Sequence, residues 1–193
     1  MKKKKFQLDV PGGADKVLLH TCCAPCSSAI IECLMQHGIT PIIYYCNPNI
    51  YPLEEYNIRK EECTRYALSL GLEIIDADYN HEEWLCQMKG MENEPERGGR
   101  CLRCFKMRLK DTARYAHERG LKVITTTLAS SRWKSLEQIN EAGMFAVSFY
   151  PDVIWWDQNW RKGGLQERRL QIIKEYDFYN QLYCGCEFSM RKD

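Results

Sequence analysis

Short apolar runs alternate with longer amphipathic stretches along this chain, and the alternation predicts repeated strand–helix units. Lys16–Thr21 (KVLLHT) reads as a brief buried strand that ends directly at Cys22-Cys23. Pro25 suits the first turn of a helix continuing through Ser28–Gln36 and stopping at Gly38, because its fixed φ and missing N–H are harmless at that end. Thr40–Cys46 reads as a second buried strand, ended by Asn47-Pro48-Asn49, and Leu53–Leu70 as a long amphipathic helix closed by Gly71. Leu72–Ala77 is a third strand, Glu82–Met91 a helix, and Asn93–Gly99 a charged loop. Arg100–Arg119 is predicted helical up to Gly120, Val123–Thr127 a β-branched strand, and Ser135–Ala142 a helix. Val153–Trp156 and Leu165–Tyr176 complete the series as a fifth strand and a last helix.

This order predicts an α/β, Rossmann-like fold: a parallel sheet of about five strands with helices on both faces. Right-handed crossovers put the strand carboxyl ends along one edge, where such sheets bind ligands. Cys22-Cys23 is expected to open into that crevice.

Composition narrows the picture. At 193 residues, 45% hydrophobic and 27% charged, the chain suits one globular domain spanning 1–193, with 1–14 expected as a flexible N-terminal tail. Lys2–Lys5 read as a solvated charged end. No apolar run is long enough for a signal sequence or a membrane span, so a cytoplasmic location and no membrane partner are expected. The net charge is only +1, so any nucleic-acid role must rest on a local basic patch.

Eleven cysteines then change the question. Seven of them fall in three clusters, Cys22-Cys23-Ala24-Pro25-Cys26, Cys101-x-x-Cys104 and Cys184-Gly185-Cys186. In a reducing compartment such clusters read as metal-binding or catalytic before they read as structural disulfides. Thiolates at this spacing suit zinc, iron, iron–sulfur clusters or a redox dithiol, and seven exceed the four that one zinc or one cubane cluster needs. A helix N-terminus behind Cys22-Cys23 would stabilise thiolates. Gly185 allows the bend that brings Cys184 and Cys186 to a metal or to each other. Cys33, Cys46, Cys63 and Cys86 stand apart, at positions expected to be core.

The run His20-x-Cys22-Cys23-Ala24-Pro25-Cys26-Ser27, with Tyr45-x-Asn47-Pro48-Asn49-Ile50 and Glu55-Tyr56-x-x-Arg59, resembles the QueH-type epoxyqueuosine reductases. So do Glu94-Pro95-Glu96-x-Gly98-x-Arg100-Cys101-x-x-Cys104-Phe105-x-x-Arg108-Leu109 and Thr112-Ala113-x-x-Ala116. Thr126-Thr127-Leu128-x-Ser130, Arg161-Lys162-x-Gly164 and Gln181-x-Tyr183-Cys184-Gly185-Cys186-x-Phe188-Ser189 extend the resemblance over nearly the whole chain. Two segments depart from it: Ser131-Arg132-Trp133-Lys134-Ser135 stands where relatives often have Ser-Pro-x-Lys-Asn, and Asn180 stands at an expected Arg.

The resemblance implies a HUP-like fold and a bacterial tRNA-modifying enzyme that reduces epoxyqueuosine to queuosine at the anticodon wobble position, without cobalamin. It implies a [4Fe–4S] cluster on Cys22, Cys23, Cys101 and Cys104, with an adjacent mononuclear iron or a redox dithiol completing the site. Cys184 and Cys186 would be that redox pair or ligands of the second metal, and Cys26, where some relatives place Asp, a further second-metal ligand. The partners implied are tRNA carrying epoxyqueuosine (GUN anticodons) and an electron donor that the sequence does not identify.

A tRNA substrate calls for phosphate contacts. Arg100, Arg103, Lys106 and Lys110 recur at helical spacing beside Cys101 and Cys104, and Arg161-Lys162 adds a basic turn. Trp155, Trp156 and Trp160 are candidates for base stacking, Trp155 and Trp156 equally for the core, and His20 for orienting a ligand or for a satisfied core position. Asp78, Asp157 and Lys162 are candidate proton donors. Two rival readings share these residues: a non-catalytic zinc module that binds RNA or protein, and a metal-free thiol–disulfide oxidoreductase.

Overall fold

Val17, Leu18 and Leu19 have no exposed surface, as expected of a central parallel strand covered on both faces. They belong to β1 (Lys16–His20), the middle of a five-stranded, all-parallel sheet in a computed structural model that describes residues 6–190. β2 (Thr40–Tyr45) and β3 (Ile74–Asp76) lie to one side, β4 (Val123–Thr126) and β5 (Ile154–Trp155) to the other, giving the order β3-β2-β1-β4-β5. Leu18 pairs with Ile42 on one neighbour and Ile124 on the other. The Rossmann-like α/β expectation holds, and β1 and β4 flank the point where strand order reverses.

Among the described residues five α-helices connect the strands, α1 (Ala24–Gln36), α2 (Leu53–Ser69), α3 (His81–Met88), α4 (Gly99–Glu118) and α5 (Leu136–Val147), and α6 (Leu165–Glu175) follows β5. α1 packs against α2 and α6, whereas α4 packs against α5 and α3. Right-handed crossovers running first one way and then the other from β1 put these groups on opposite faces. No helix among the described residues is long and apolar enough to cross a membrane.

Lys2–Lys5 lie outside the described residues. The rest of the expected tail does not hang free. Phe6, Leu8 and Val10 alternate with exposed neighbours and pack on the core, and Phe6 carbonyl accepts from His37 Nε2 at 2.8 Å. A period of two buries one side of an extended segment.

Element edges shift in informative ways. β3 and β5 are shorter than their apolar runs, because ladder pairing reaches only Ile74–Asp76 and Ile154–Trp155. α5 runs beyond the expected stop at Ala142, straight through Gly143. That glycine serves packing: a Cβ there would overlap Trp155 Cδ2 and Cε2 and sit 2.6 Å from Cε3. A Gly→Ala change inside a helix gains about 1 kcal/mol of propensity, but overpacking a core costs about 1–3 kcal/mol. Overpacking wins here because Trp155 is itself buried. Gly143→Ala is expected to lower Tm by about 2–8 °C in thermal unfolding; an unchanged or raised Tm would show that the helix and β5 are not in this contact.

Candidate active site

Two helix N-termini and one C-terminal strap deliver sulfur to the crevice beyond β1 and β4. The chain leaves β1 at His20 and enters α1 at Ala24, with Cys23 capping and Pro25 in the first turn. Cys22, Cys23 and Cys26 therefore crowd the positive end of α1, where unpaired N–H groups favour thiolate. Their Sγ atoms lie within 4.8 Å of one another, a possible metal-holding group among the described residues. Cys22 N–H donates to Thr127 Oγ1 at 3.3 Å, which joins the end of β1 to the turn after β4 at the switch point.

The three thiols share charge unequally. Hydrogen bonds from Cys23 and Cys26, helped by Thr127 and Lys134, hold Cys22 well below the ordinary thiol range against the effect of burial. Burial, then the hydrogen bond to Cys22, pushes Cys23 up. The hydrogen bond to Cys22 raises Cys26 to about 12. Cys22 is thus the favoured thiolate of the group, and a bound cation would favour ionisation of the other two.

The facing wall comes from α4. Gly98 caps this helix and Glu94 Oε2 accepts from Gly99 N–H at 2.9 Å. Cys101 and Cys104 follow one turn apart. Cys101 Sγ accepts from the Arg97 N–H and Cys104 Sγ from Trp84 Nε1, each at 3.3 Å. Burial raises Cys104 to about 11, and it packs with Cys186, Trp84 and Met88.

The strap after α6 carries Cys184 and Cys186. Buried Arg59 on α2 donates to the carbonyls of Cys184 (3.2 Å) and Tyr183 (3.3 Å) while paired with Glu55 Oε1 at 2.6 Å. Tyr51 N–H donates to Gly185 carbonyl at 2.9 Å, and His81 Nε2 meets Glu187 Oε1 at 3.0 Å. Gly185 has φ 131°, and a Cβ there would stand 3.1 Å from Ile50 Cγ1, so only glycine passes between the two sulfurs without strain. Gln181 Nε2 donates to Cys23 Sγ at 2.9 Å, tying the strap to the first thiol group.

Between these walls lies a cavity of ≈ 660 Å³ lined in part by Cys22, Cys26, Cys101, Cys184, Cys186 and Lys134. Lys134 Nζ donates to Cys184 Sγ at 3.0 Å. Burial depresses its pKa, but the Cys184 and Cys22 sulfurs outweigh burial and the ammonium is stabilised. All eleven cysteines are free thiols. Five of the seven clustered ones line this cavity, with Cys23 beside Cys22 and Cys104 packed on Cys186, while Cys33, Cys46 and Cys63 are buried as expected. Cys86, expected in the core, is exposed, because Trp84 and Met88 occupy the inner face of α3.

Several other candidates have structural duties instead. Arg100 is 2% exposed and borders the thiol cavity, its Nη1 bonded to the carbonyls of Met91 and Glu92. Arg103 bonds Gln87 carbonyl at 2.9 Å and Lys106 pairs with Glu141 at 2.6 Å, both along a second groove away from the thiols. Arg161 Nη2 is bound to the carbonyls of Ser131 and Lys134. Lys162 is exposed and, like Asp78 and Asp157, does not line the thiol cavity. Trp155, Trp156 and Trp160 are buried at 7%, 3% and 0% exposure, too enclosed to stack a base. His20 is a satisfied core residue: Nδ1 accepts from Thr126 hydroxyl at 2.7 Å and Nε2 donates to Cys46 carbonyl at 3.1 Å. Burial, reinforced by Arg108, lowers its pKa to about 3 and keeps it neutral.

Reading the sequence missed Lys134, Arg59 and Gln181 as parts of the site. Glu55 and Arg59 belong to a motif of the family resemblance but have the i,i+4 spacing of any exposed helix pair; their burial shows that the pair serves the site.

The family model described as "Epoxyqueuosine reductase QueH" matches residues 17–192. A protein of that name from Acinetobacter baylyi is 51% identical over 191 residues, covering 99% of this chain and 88% of the relative. One from Histophilus somni is 52% identical over 185 residues, covering 96% and 76%. One from Thermotoga maritima is 35% identical over 177 residues, covering 90% of each. With the cysteine-lined crevice at the switch point and a match over nearly its whole length, the chain belongs to the epoxyqueuosine reductase QueH family.

Proposed function

We propose that this protein is an iron–sulfur oxidoreductase of the cytoplasm that reduces epoxyqueuosine to queuosine in the anticodon of GUN tRNAs, the last step of queuosine formation. The observation that carries this reading is a cavity lined by five cysteines from all three clusters, with Cys23 and Cys104 packed directly beside them, in a chain of this family. The reaction breaks the epoxide C–O bonds, forms a C=C bond, takes up two electrons and two protons, and releases water. The electrons come from an external reductant.

The donor set fits the implied cofactor. Soft sulfur ligands at two helix N-termini suit an iron–sulfur centre, and Lys134 and the buried Arg59 and Arg108 offset its negative charge. We assign a [4Fe–4S] cluster to Cys22, Cys23, Cys101 and Cys104, with Cys26, Cys184 and Cys186 left for a mononuclear iron or, for the last two, a redox pair. When bound, these centres supply single electrons and a Lewis acid at the cavity. The compact Cys22–Cys23–Cys26 group suggests a second partition, in which those three sulfurs hold the four-iron cluster and Cys101, Cys104, Cys184 and Cys186 serve the second centre. A non-catalytic zinc module is disfavoured, because four sulfurs complete a zinc site and leave three of the seven without a task.

The residues of the chain do the positioning. Arg59 and Gln181 hold the strap so that its sulfurs face the cavity. Lys134 Nζ presents a charged donor at the same space, suited to hydrogen-bond the oxygen as the C–O bond opens.

Anaerobically reconstituted protein is expected to be brown and, with a strong reductant and epoxyqueuosine-containing tRNA, to give a nucleoside lighter by one oxygen in mass spectrometry. Cys101→Ala and Cys104→Ala are expected to abolish that conversion; full activity in either would refute the cluster assignment. Cys26→Ala separates the two partitions by iron counting and visible spectrum. Retention of the four-iron chromophore supports Cys22, Cys23, Cys101 and Cys104, and its loss supports the compact group. Lys134→Met is expected to lower kcat by about 10²–10³-fold with iron content unchanged, and Lys134→Arg to recover part of it. Equal kcat in wild type and Lys134→Met would remove Lys134 from the chemistry.

A further inference from the structure

The turn 131–134 between β4 and α5 is held with unusual completeness. Arg161 Nη2 donates to the carbonyls of Ser131 and Lys134, and Arg97 donates through Nη2 to Arg132 carbonyl at 3.1 Å and through Nε to Trp133 carbonyl at 2.7 Å. Four consecutive carbonyls are thus taken by two guanidinium groups. Arg97 achieves this from φ 66°, a left-handed conformation unfavourable for a side-chain-bearing residue. Its N–H also donates to Cys101 Sγ, and its carbonyl accepts from Gln138 Nε2 at 2.7 Å.

This clamp points two side chains in different directions. Lys134 faces Cys184, whereas Trp133 lies at the cavity wall yet is 68% exposed. Arg132 stacks on that indole, with Cζ 5.0 Å from the ring centroid. A large aromatic left in water on a rigid turn, beside a charged partner, gains almost nothing from folding. It is suited to accept a flat ligand, because its backbone is already ordered before binding.

We propose that Trp133, backed by Arg132, is the platform on which a base of the anticodon loop stacks as the modified nucleotide enters the thiol cavity. This rests on the reading of the protein as an enzyme acting on tRNA. RNA loops are recognised by stacking splayed bases on aromatic rings and guanidinium planes. Arg132 adds a charge that a neighbouring phosphate can engage. The platform replaces the tryptophans of β5 and its following loop, which the core has consumed.

The test measures binding of a fluorescein-labelled anticodon stem-loop with a GUN anticodon to reconstituted protein by anisotropy. Trp133→Ala is expected to weaken binding about 10- to 100-fold, to raise KM for tRNA with kcat little changed, and to keep wild-type iron content and Tm. Trp133→Phe, which retains a ring, is expected to restore most of the affinity. It is also expected to abolish the quenching of protein fluorescence that the stem-loop causes in wild type. Wild-type affinity in Trp133→Ala, or undiminished quenching in Trp133→Phe, would overturn the platform alone. A wild-type protein that binds no stem-loop and deoxygenates no tRNA would overturn the tRNA reading and the platform with it.

Discussion

Crowding sulfur against sulfur is the constraint to which the rest of this structure answers. Cys22, Cys23 and Cys26 lie within 4.8 Å of one another, and like charges at that separation repel strongly where water is scarce. The fold meets the problem with fixed positive potential. α1 and α4 both begin at the cavity, so two dipole ends converge there. Lys134, Arg59 and Arg108 add full charges; against burial, nearby thiols stabilise the cationic forms of Lys134 and Arg108, and the hydrogen bond to Glu55, then Cys23, stabilises that of Arg59. Unoffset, such cations would be as costly as the thiolates; together they make a site that favours a metal-bound, ionised sulfur set.

Bringing the last two sulfurs to this place needs long-range ties. The strap after α6 has only one short helical turn of its own, Glu187–Ser189, so its position depends on other elements. Arg59 supplies the main tie from α2, and Tyr179 adds two more: its N–H to Glu62 Oε1 at 2.7 Å and its hydroxyl to Glu55 Oε2 at 2.8 Å. Glu55 therefore serves two partners at once. Removing one member of such a buried, hydrogen-bonded pair costs about 3–5 kcal/mol, and here the loss would fall on the geometry of Cys184 and Cys186. The arginine-clamped turn 131–134 does the equivalent work on the opposite rim, where backbone order converts an exposed loop into a fixed display.

The arrangement of charged residues shows most clearly where sequence pattern and structure part. Arg100, Arg103 and Lys106 have the spacing of a basic stripe, but each finds an intramolecular acceptor: loop carbonyls, Gln87 and Glu141. Periodicity along α4 describes which residues share a face and is silent about what that face meets. Arg161 illustrates the same limit, since a basic turn in the chain becomes a brace for a segment roughly a sixth of its length away. Aromatic residues behave likewise. Trp155 could be placed on a strand from sequence, but whether it is buried depended on Gly143 of a neighbouring helix leaving room for its ring.

What the sequence determined by itself was local or chemical. Apolar runs of strand length, helix punctuation by Pro25, Gly71 and Gly120, and the spacing of the seven cysteines sufficed for a parallel α/β sheet with thiols at its carboxyl edge. These signals are legible because backbone preference and sulfur chemistry depend on residues close together in the chain. Tertiary structure alone decided which cysteines became neighbours, which arginines were consumed as ties, and which tryptophan was left in water. Those outcomes depend on contacts across sequence separations such as 125 residues between Arg59 and Cys184 and 50 between Lys134 and Cys184. Such distances carry no periodicity, because they are set by the order in which the strands stack and by what each face of the sheet has room to bury.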